Sequence, residues 1–314
     1  MEGFGQLIQG KVLDQETREP IDFASVYFDG TFVGTTTDSL GNFELDITKY
    51  ASRSLTVSAV GYYSKSIATL TPGEIHQVKL IPRIFSIEEV SVSTQSLVRE
   101  RRACMRIFKR EFIGLTSNAR RCYILNEQDI SFNYGSDQDT LRAYASKPLR
   151  IQNLSLGYVF TYYLDCFEYA RETQTMRYNG SIIFNQDLAT DEASLKRYTR
   201  RRAYAYTGSS KHFLRALWTN ALQSEGFAVS GFTSEKRLMY KHIVVEDSLG
   251  RKFIQYPEDL TIQYYPYLSY INFLENKVYF EQDGFFDPTA ILWTGTMSKQ
   301  RIADFLPYEY LPGE

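Results

Sequence analysis

The feature that most constrains this chain is its punctuation between Leu7 and Leu80. There, short runs of alternating apolar and polar residues are broken by turn residues at intervals of about ten. Alternation with a period of two buries one face of a strand. Strands this short and this evenly spaced belong to an all-β sandwich. The pattern predicts strands at 7–13, 24–29, 32–37, 42–47, 54–60, 63–69 and 75–81. Asp29-Gly30 predicts a type I′ hairpin, a turn that needs positive φ at both central positions. Asp38-Ser39-Leu40-Gly41 predicts a second tight turn with Gly41 in the left-handed region.

The residues at these places carry a resemblance. Gly10-Lys11-Val12-Leu13-Asp14, Thr17-Arg18-Glu19-Pro20-Ile21, Ala24-Ser25-Val26, the run Gly34–Phe43 and Val57-Ser58-Ala59-Val60-Gly61-Tyr62 are together similar to the carboxypeptidase-like regulatory family. Its members of Bacteroidetes type have a transthyretin-like β-sandwich. One departure stands out: Phe23 occupies the place before Ala-Ser-Val where a glycine is common. The resemblance implies a fold for residues 1–82 and no site, because function is carried by sites grafted on folds. Nor does the family name imply peptidase activity, since the zinc of true carboxypeptidases belongs to a catalytic domain that has no counterpart here.

At 314 residues the chain has room for a second domain. Residues 83–96 read as a connector in which Ile87-Glu88-Glu89-Val90-Ser91-Val92 resembles the short strand that leads into the plug of TonB-dependent outer-membrane receptors. A helix is predicted over 97–113, with Cys104, Ile107, Phe108 and Phe112 as its buried stripe. Strands follow at 122–134, 140–145, 149–153, 157–170 and 175–185. A helical region begins near Asp191, and a helix opens at Ser209 or Ser210 with Phe213, Ala216, Leu217 and Ala221 on one face before Gly226 ends it. Residues 227–281 return to strands, and the aromatic tail through Pro312 is expected to be ordered. The 24 Tyr and 21 Phe fit this emphasis on half-buried strands. The expected fold is therefore a seven-stranded sandwich over 1–82, then an α+β domain over 97–314 with a twisted antiparallel sheet and two main helical regions. Lys147–Tyr158, Tyr206-Thr207-Gly208-Ser209 with His212-Phe213-Leu214-Arg215, and Arg301–Pro307 resemble an uncharacterised domain that follows such sandwiches in Bacteroidetes envelope proteins.

Chemistry is sparse. His76, His212 and His242 show no metal-binding spacing, and Cys104, Cys122 and Cys166 no zinc motif. Cys104 reads as buried filler, and a single bridge such as Cys104 to Cys122 stays open in an oxidising compartment. Gly208-Ser209-Ser210-Lys211-His212 places a hydroxyl near an imidazole, but Ser209 lacks a nucleophile elbow and suits a helix cap. Two basic clusters, one from Arg99 to Arg110 and one from Lys196 to Arg202, could meet phosphates or anionic headgroups. Their alternative is a solvated helix face, or pairing with Glu258, Asp259, Glu275, Glu281, Asp283 and Asp287. The net charge of -2 offers no global pull on nucleic acid.

The aromatic runs Tyr158 to Tyr169 and Tyr264 to Tyr270 could stack on sugars, or could simply pair across strands. Arg201, Arg202, Tyr204, Tyr206 and His212 are the candidate partner-binding residues, with no catalytic, metal or cofactor site expected. The leading expectation is a non-enzymatic envelope accessory or docking protein, whose partner is an outer-membrane protein or a glycan. The alternatives are a glycan-binding protein of a polysaccharide-uptake system and a hydrolase with an unrecognised carboxylate pair. No stretch approaches the roughly 20 apolar residues that span a bilayer. Because Met1–Gln6 runs straight into strand-like sequence, as a mature domain does after signal removal, the expected setting is periplasmic or outer-membrane associated.

Overall fold

The computed structural model describes residues 6–83, 94–134 and 139–313. Two compact units emerge: one holds the chain up to Leu115 together with Arg120–Thr190, the other holds Thr116–Ala119 and the chain from Asp191 onward. The span 97–314, expected as one domain, is thus shared between both.

The first unit opens with β1 (Leu7–Asp14), β2 (Ser25–Tyr27), β3 (Gly34–Thr36), β4 (Asn42–Asp46), β5 (Leu55–Ser58), β6 (Lys65–Ile67) and β7 (Ile75–Leu80), at the places the alternation marks. They form two sheets, ordered β4-β1-β7 and β3-β2-β5-β6. Ile8, Val12, Val26, Phe28, Phe43, Leu45, Leu55, Val57, Val78 and Leu80, drawn from both sheets, share one buried core. Gly41 takes the left-handed conformation at φ 76. The Asp29-Gly30 turn differs from expectation: of the pair, Gly30 alone has positive φ, and the loop runs from Phe28 to Val33. Its conformation is set from outside the hairpin. Asp29 Oδ1 accepts the Ile182 N–H at 2.6 Å, Gly30 N–H donates to the Ile182 carbonyl, and Thr31 bridges Ile183 in parallel.

The rest of this unit is α1 (Thr94–Phe108), continued by a wider helical turn over Lys109–Ile113, and a sheet of β8 (Cys122–Ile124), β9 (Ile130–Tyr134), β10 (Thr140–Ala145), β11 (Leu149–Asn153), β12 (Tyr158–Ala170) and β13 (Thr175–Asp187). The long β12–β13 hairpin is antiparallel, with β11 and β10 beside successive halves of β12. The strand predicted over 122–134 is interrupted because Asn126 replaces ladder bonds with its side chain. Its amide donates to Asp129 and to the Pro148 carbonyl, and its Oδ1 accepts the Arg150 N–H. Phe108 and Phe112 from α1 and its extension meet Phe132, Tyr162, Phe167 and Tyr178 in edge-to-face pairs, while Phe32 from the sandwich meets Tyr158 and Phe184. Tyr27 OH lies 2.6 Å from Ser181 Oγ, and Tyr163 OH donates to Ser25 Oγ at the same distance. The sandwich is bonded into this sheet. The connector strand at Ile87–Val92 lies outside the described residues.

The second unit contains α2 (Glu192–Tyr206), α3 (Ser210–Trp218), β14 (Phe227–Gly231), β15 (Arg237–Leu238), the single turn α4 (Tyr240–Ile243), β16 (Val244–Glu246), β17 (Lys252–Ile254), β18 (Leu260–Tyr264), β19 (Tyr267–Phe273), β20 (Val278–Tyr279) and β21 (Ile291–Gly295). The one twisted sheet expected after residue 97 is three sheets, counting the one in the first unit, since this unit adds β15-β14-β18-β19-β21 and β16-β17-β20. Asp191 caps α2 by accepting the Ser194 N–H, and Ser209 caps α3 by accepting that of His212. α3 ends at Trp218, earlier than Gly226, and buries Phe213, Ala216 and Leu217 against Phe227, Val229, Ile262 and Ile271. Asp304 is buried, and its Oδ1 accepts from Thr116 Oγ1 and Asn118 Nδ2, both at 2.9 Å, which fixes residues 116–119 to this unit.

Candidate functional site

Of the five residues singled out on α2 and α3, Tyr204 is 75% exposed, Arg201 is half-buried, and Arg202, Tyr206 and His212 are buried. His212 shows why. Its Nδ1 accepts the Gly208 N–H at 3.1 Å, so the ring proton sits on Nε2 and points to Glu225 Oε2 at 3.0 Å. The rings of Tyr206, Phe227 and Tyr264 enclose it at 4.8–5.8 Å between centroids. Gly208 is required there: its φ is +74, and a Cβ would come within 2.9 Å of the Tyr264 ring. Ser209 spends its hydroxyl on the helix cap. Burial pushes the Tyr206 phenol up, opposed by Arg215. The fork of Arg215 donates to the carbonyls of Asp283, Tyr308 and Tyr310 and so holds the tail in place. This cluster is a structural knot.

The basic clusters divide the same way. Arg101 donates to the carbonyls of Ile130 and Glu127, Lys109 pairs with Glu127 at 2.5 Å, and Arg110 with Glu111, while Arg99, Arg102 and Arg106 are exposed. Three of the acidic residues proposed as their counterparts accept from other groups: Glu258 from the Thr233 and Ser234 amides, Asp259 from Asn272 and the Phe273 amide, and Asp287 from Thr289 in its own turn. Cys104, Cys122 and Cys166 form no disulfide. Among the described residues, no group of three His, Cys, Asp or Glu side chains is placed to hold a metal ion, and no helix is long and apolar enough to cross a membrane.

Three carboxyls, Asp29, Asp165 and Asp304, are held above the usual range by burial. Asp29 is pushed up to about 6, opposed by the Ile182 hydrogen bond and by Arg53, and Asp165 is raised in the same way, opposed by Arg83 and Ser64. Asp165 opens onto a cleft lined by Tyr62, Ser64, Arg83, Lys147 and Pro148, with a volume of about 30 Å³. That is space for one or two waters, far short of the roughly 300 Å³ at which small-molecule pockets begin. Arg83 is turned to the carbonyls of Leu164 and Asp165 at 2.8 and 2.7 Å.

The aromatic runs part company. Tyr158, Phe160, Tyr162, Phe167 and Tyr169 are all buried core. In the second run, Tyr264 turns inward to His212, while Tyr270 points the other way. Register places Tyr270 beside Thr261 and Thr294, Leu268 beside Gln263, and Asn272 beside Leu292 on the outer face of the five-stranded sheet. Phe232, 53% exposed, stands edge-on to Tyr270 at 5.7 Å and 83°, and Leu268 and Leu292 are also exposed. Of this face the sequence marks Tyr270 in its aromatic run, while Phe232 and Leu292 lie outside both runs. Register brings Leu292 beside Asn272, and a ring contact brings Phe232 to Tyr270.

In the first unit the sandwich is bonded to an antiparallel sheet, and in the second unit one face of the five-stranded sheet carries exposed apolar side chains. Residues 8–92 match the family model of the CarboxypepD_reg-like domain, so the chain carries that domain. No curated protein matches the chain. Among solved structures, one from Bacteroides uniformis, provisionally described as a carbohydrate binding protein, shares 8% identity over 93% of this chain and 100% of its own. Its TM-score of 0.21 carries neither fold nor ligand across.

Proposed function

We propose that this is a non-enzymatic accessory protein of the bacterial cell envelope, periplasmic or outer-membrane associated, that acts by docking. The transthyretin-like sandwich is a docking or spacing module, and the outer face of the β15-β14-β18-β19-β21 sheet receives a protein partner from the outer membrane. The observation that carries this reading is the open face itself, where Phe232, Leu268, Tyr270 and Leu292 gather on one side of a sheet. Exposed apolar clusters on a folded domain mark interaction surfaces. The groups with chemistry to offer are engaged elsewhere: Ser209 in a cap, His212 at both ring nitrogens, Asp29 on a backbone amide.

A glycan is the second reading, favoured by the Tyr270 ring lying among Thr261, Asn272 and Thr294. The 83° angle between Tyr270 and Phe232 leaves one stacking surface instead of a coplanar platform, so the protein partner leads. The test is co-purification from native envelopes with the wild type and with Leu292→Asp. A specific outer-membrane protein recovered with the first and depleted about tenfold or more with the second supports docking. Absence of any such protein, with polysaccharide-gel retardation that Tyr270→Ala abolishes, replaces it with the glycan reading.

A further inference from the structure

We infer that the Ile21–Ala24 turn of the sandwich is a second docking point, a rigid phenylalanine knob on an acidic collar that fits an apolar socket rimmed by Lys or Arg on a partner protein. It lies on the first unit and is independent of what the five-stranded sheet takes.

Phe23 has φ +50 and is 77% exposed. A bulky side chain in the left-handed region is an outlier that costs folding free energy, and an exposed ring returns little of it. The other non-glycine residues with positive φ among the described residues, Arg18, Gln174, Asn220 and Glu235, are polar. Thr37 imposes the conformation. Its buried hydroxyl accepts the Ala24 N–H at 2.8 Å and donates to the Ile21 carbonyl at 2.7 Å, so it bridges the two ends of the turn. Its own carbonyl takes the Phe23 N–H at 3.2 Å. The ring is therefore presented on a fixed backbone, which lowers the entropy lost on docking.

Leu40, 61% exposed, belongs to the neighbouring turn. Gly41 beside it sits so close that a Cβ there would lie 3.0 Å from Pro20 and 3.3 Å from the Ile21 nitrogen. Around these apolar tips the two loops carry Glu16, Glu19, Asp22 and Asp38, all exposed, against Arg18 and the nearby Lys11 of β1, which acts on Asp38. Asp38 accepts the Leu40 and Asn42 N–H groups, which keeps it ionised. An acidic collar repels an anionic membrane and selects a cationic rim.

The test places a photoreactive phenylalanine analogue at Leu40 in the native cell and maps the cross-linked peptides. The expected product is a heterologous protein whose cross-linked segment contains apolar residues flanked by Lys or Arg. Its yield should fall at least about fivefold in Phe23→Gly and in the Glu19→Lys/Asp22→Lys double variant. Phe23→Gly should at the same time raise the thermal midpoint by about 2–4 °C, because glycine accepts the left-handed turn. Unchanged yield in Phe23→Gly, cross-links confined to lipid, glycan or a second copy of this chain, or no cross-link at all would overturn the proposal. So would a midpoint that falls in Phe23→Gly, since the ring would then be part of the fold.

Discussion

The six-stranded sheet of the first unit and the five-stranded sheet of the second are built from equally aromatic strands and treat them in opposite ways. On β12 every ring of one face is covered, by Phe108 and Phe112 along part of its length and by Phe32 of the sandwich along another. On β18 and β19 the inward rings pack on α3, while Tyr270 and Leu268 on the other face reach solvent. Aromatic content therefore does not locate a binding surface. What matters is whether a second layer lies over the face that carries the rings.

The sharpest way to break this contrast is to truncate a ring that covers the six-stranded sheet and one on the open face of the five-stranded sheet. Phe108→Ala removes a fully buried side chain and should cost about 3–5 kcal/mol in urea unfolding. A cost near zero would mean that α1 does not seal the six-stranded sheet.

A smaller effect is expected at the junction between sandwich and sheet. The Asp29 pKa of about 6 lies above its unfolded value, so the folded state holds a proton that the unfolded state releases between about pH 4 and 6. Stability from this group is greatest below that window and falls as pH rises through it. Asp29→Asn keeps an acceptor for the Ile182 N–H and removes the charge. Its stability relative to wild type should climb from nothing near pH 4 to on the order of 2 kcal/mol above pH 6.5. A flat difference across that range would show that Asp29 is solvated. The lowered carboxyls Asp14 and Asp38 run the other way, losing their contribution as pH falls, which is why the difference between the two proteins is the quantity to measure.

The smallest effect belongs to the open face. Tyr270→Ala should change unfolding free energy by less than about 1 kcal/mol while its consequence appears in partner recovery. A loss as large as that of Phe108→Ala would place Tyr270 in a core and remove the contrast.

Local order was legible from the amino acids wherever neighbours in sequence decide it. The sandwich strands, the strands at 140–145 and 149–153 and the Ser209 cap all rest on alternation or on a side chain reaching a nearby amide. Even the departure at Phe23 was visible. What escaped depends on distant residues: Asp29 abandons its predicted turn for an amide more than 150 positions away, and Thr37 shapes a turn 13 residues earlier. The break at Asn126 lies between these cases. A polar run Asn126-Glu127-Gln128-Asp129 in the middle of a supposed strand favours a turn, and the structure places one there.

The strap formed by Thr116, Asn118 and Asp304 bears on how the chain is made. These bonds join residues 188 and 186 positions apart, so a nascent chain must carry the strap unsatisfied until Asp304 has left the ribosome. The second unit is therefore completed only after Asp304 has been synthesised. A fragment begun at Asp191 would lack the piece that fills the hydrogen bonds of its own buried aspartate.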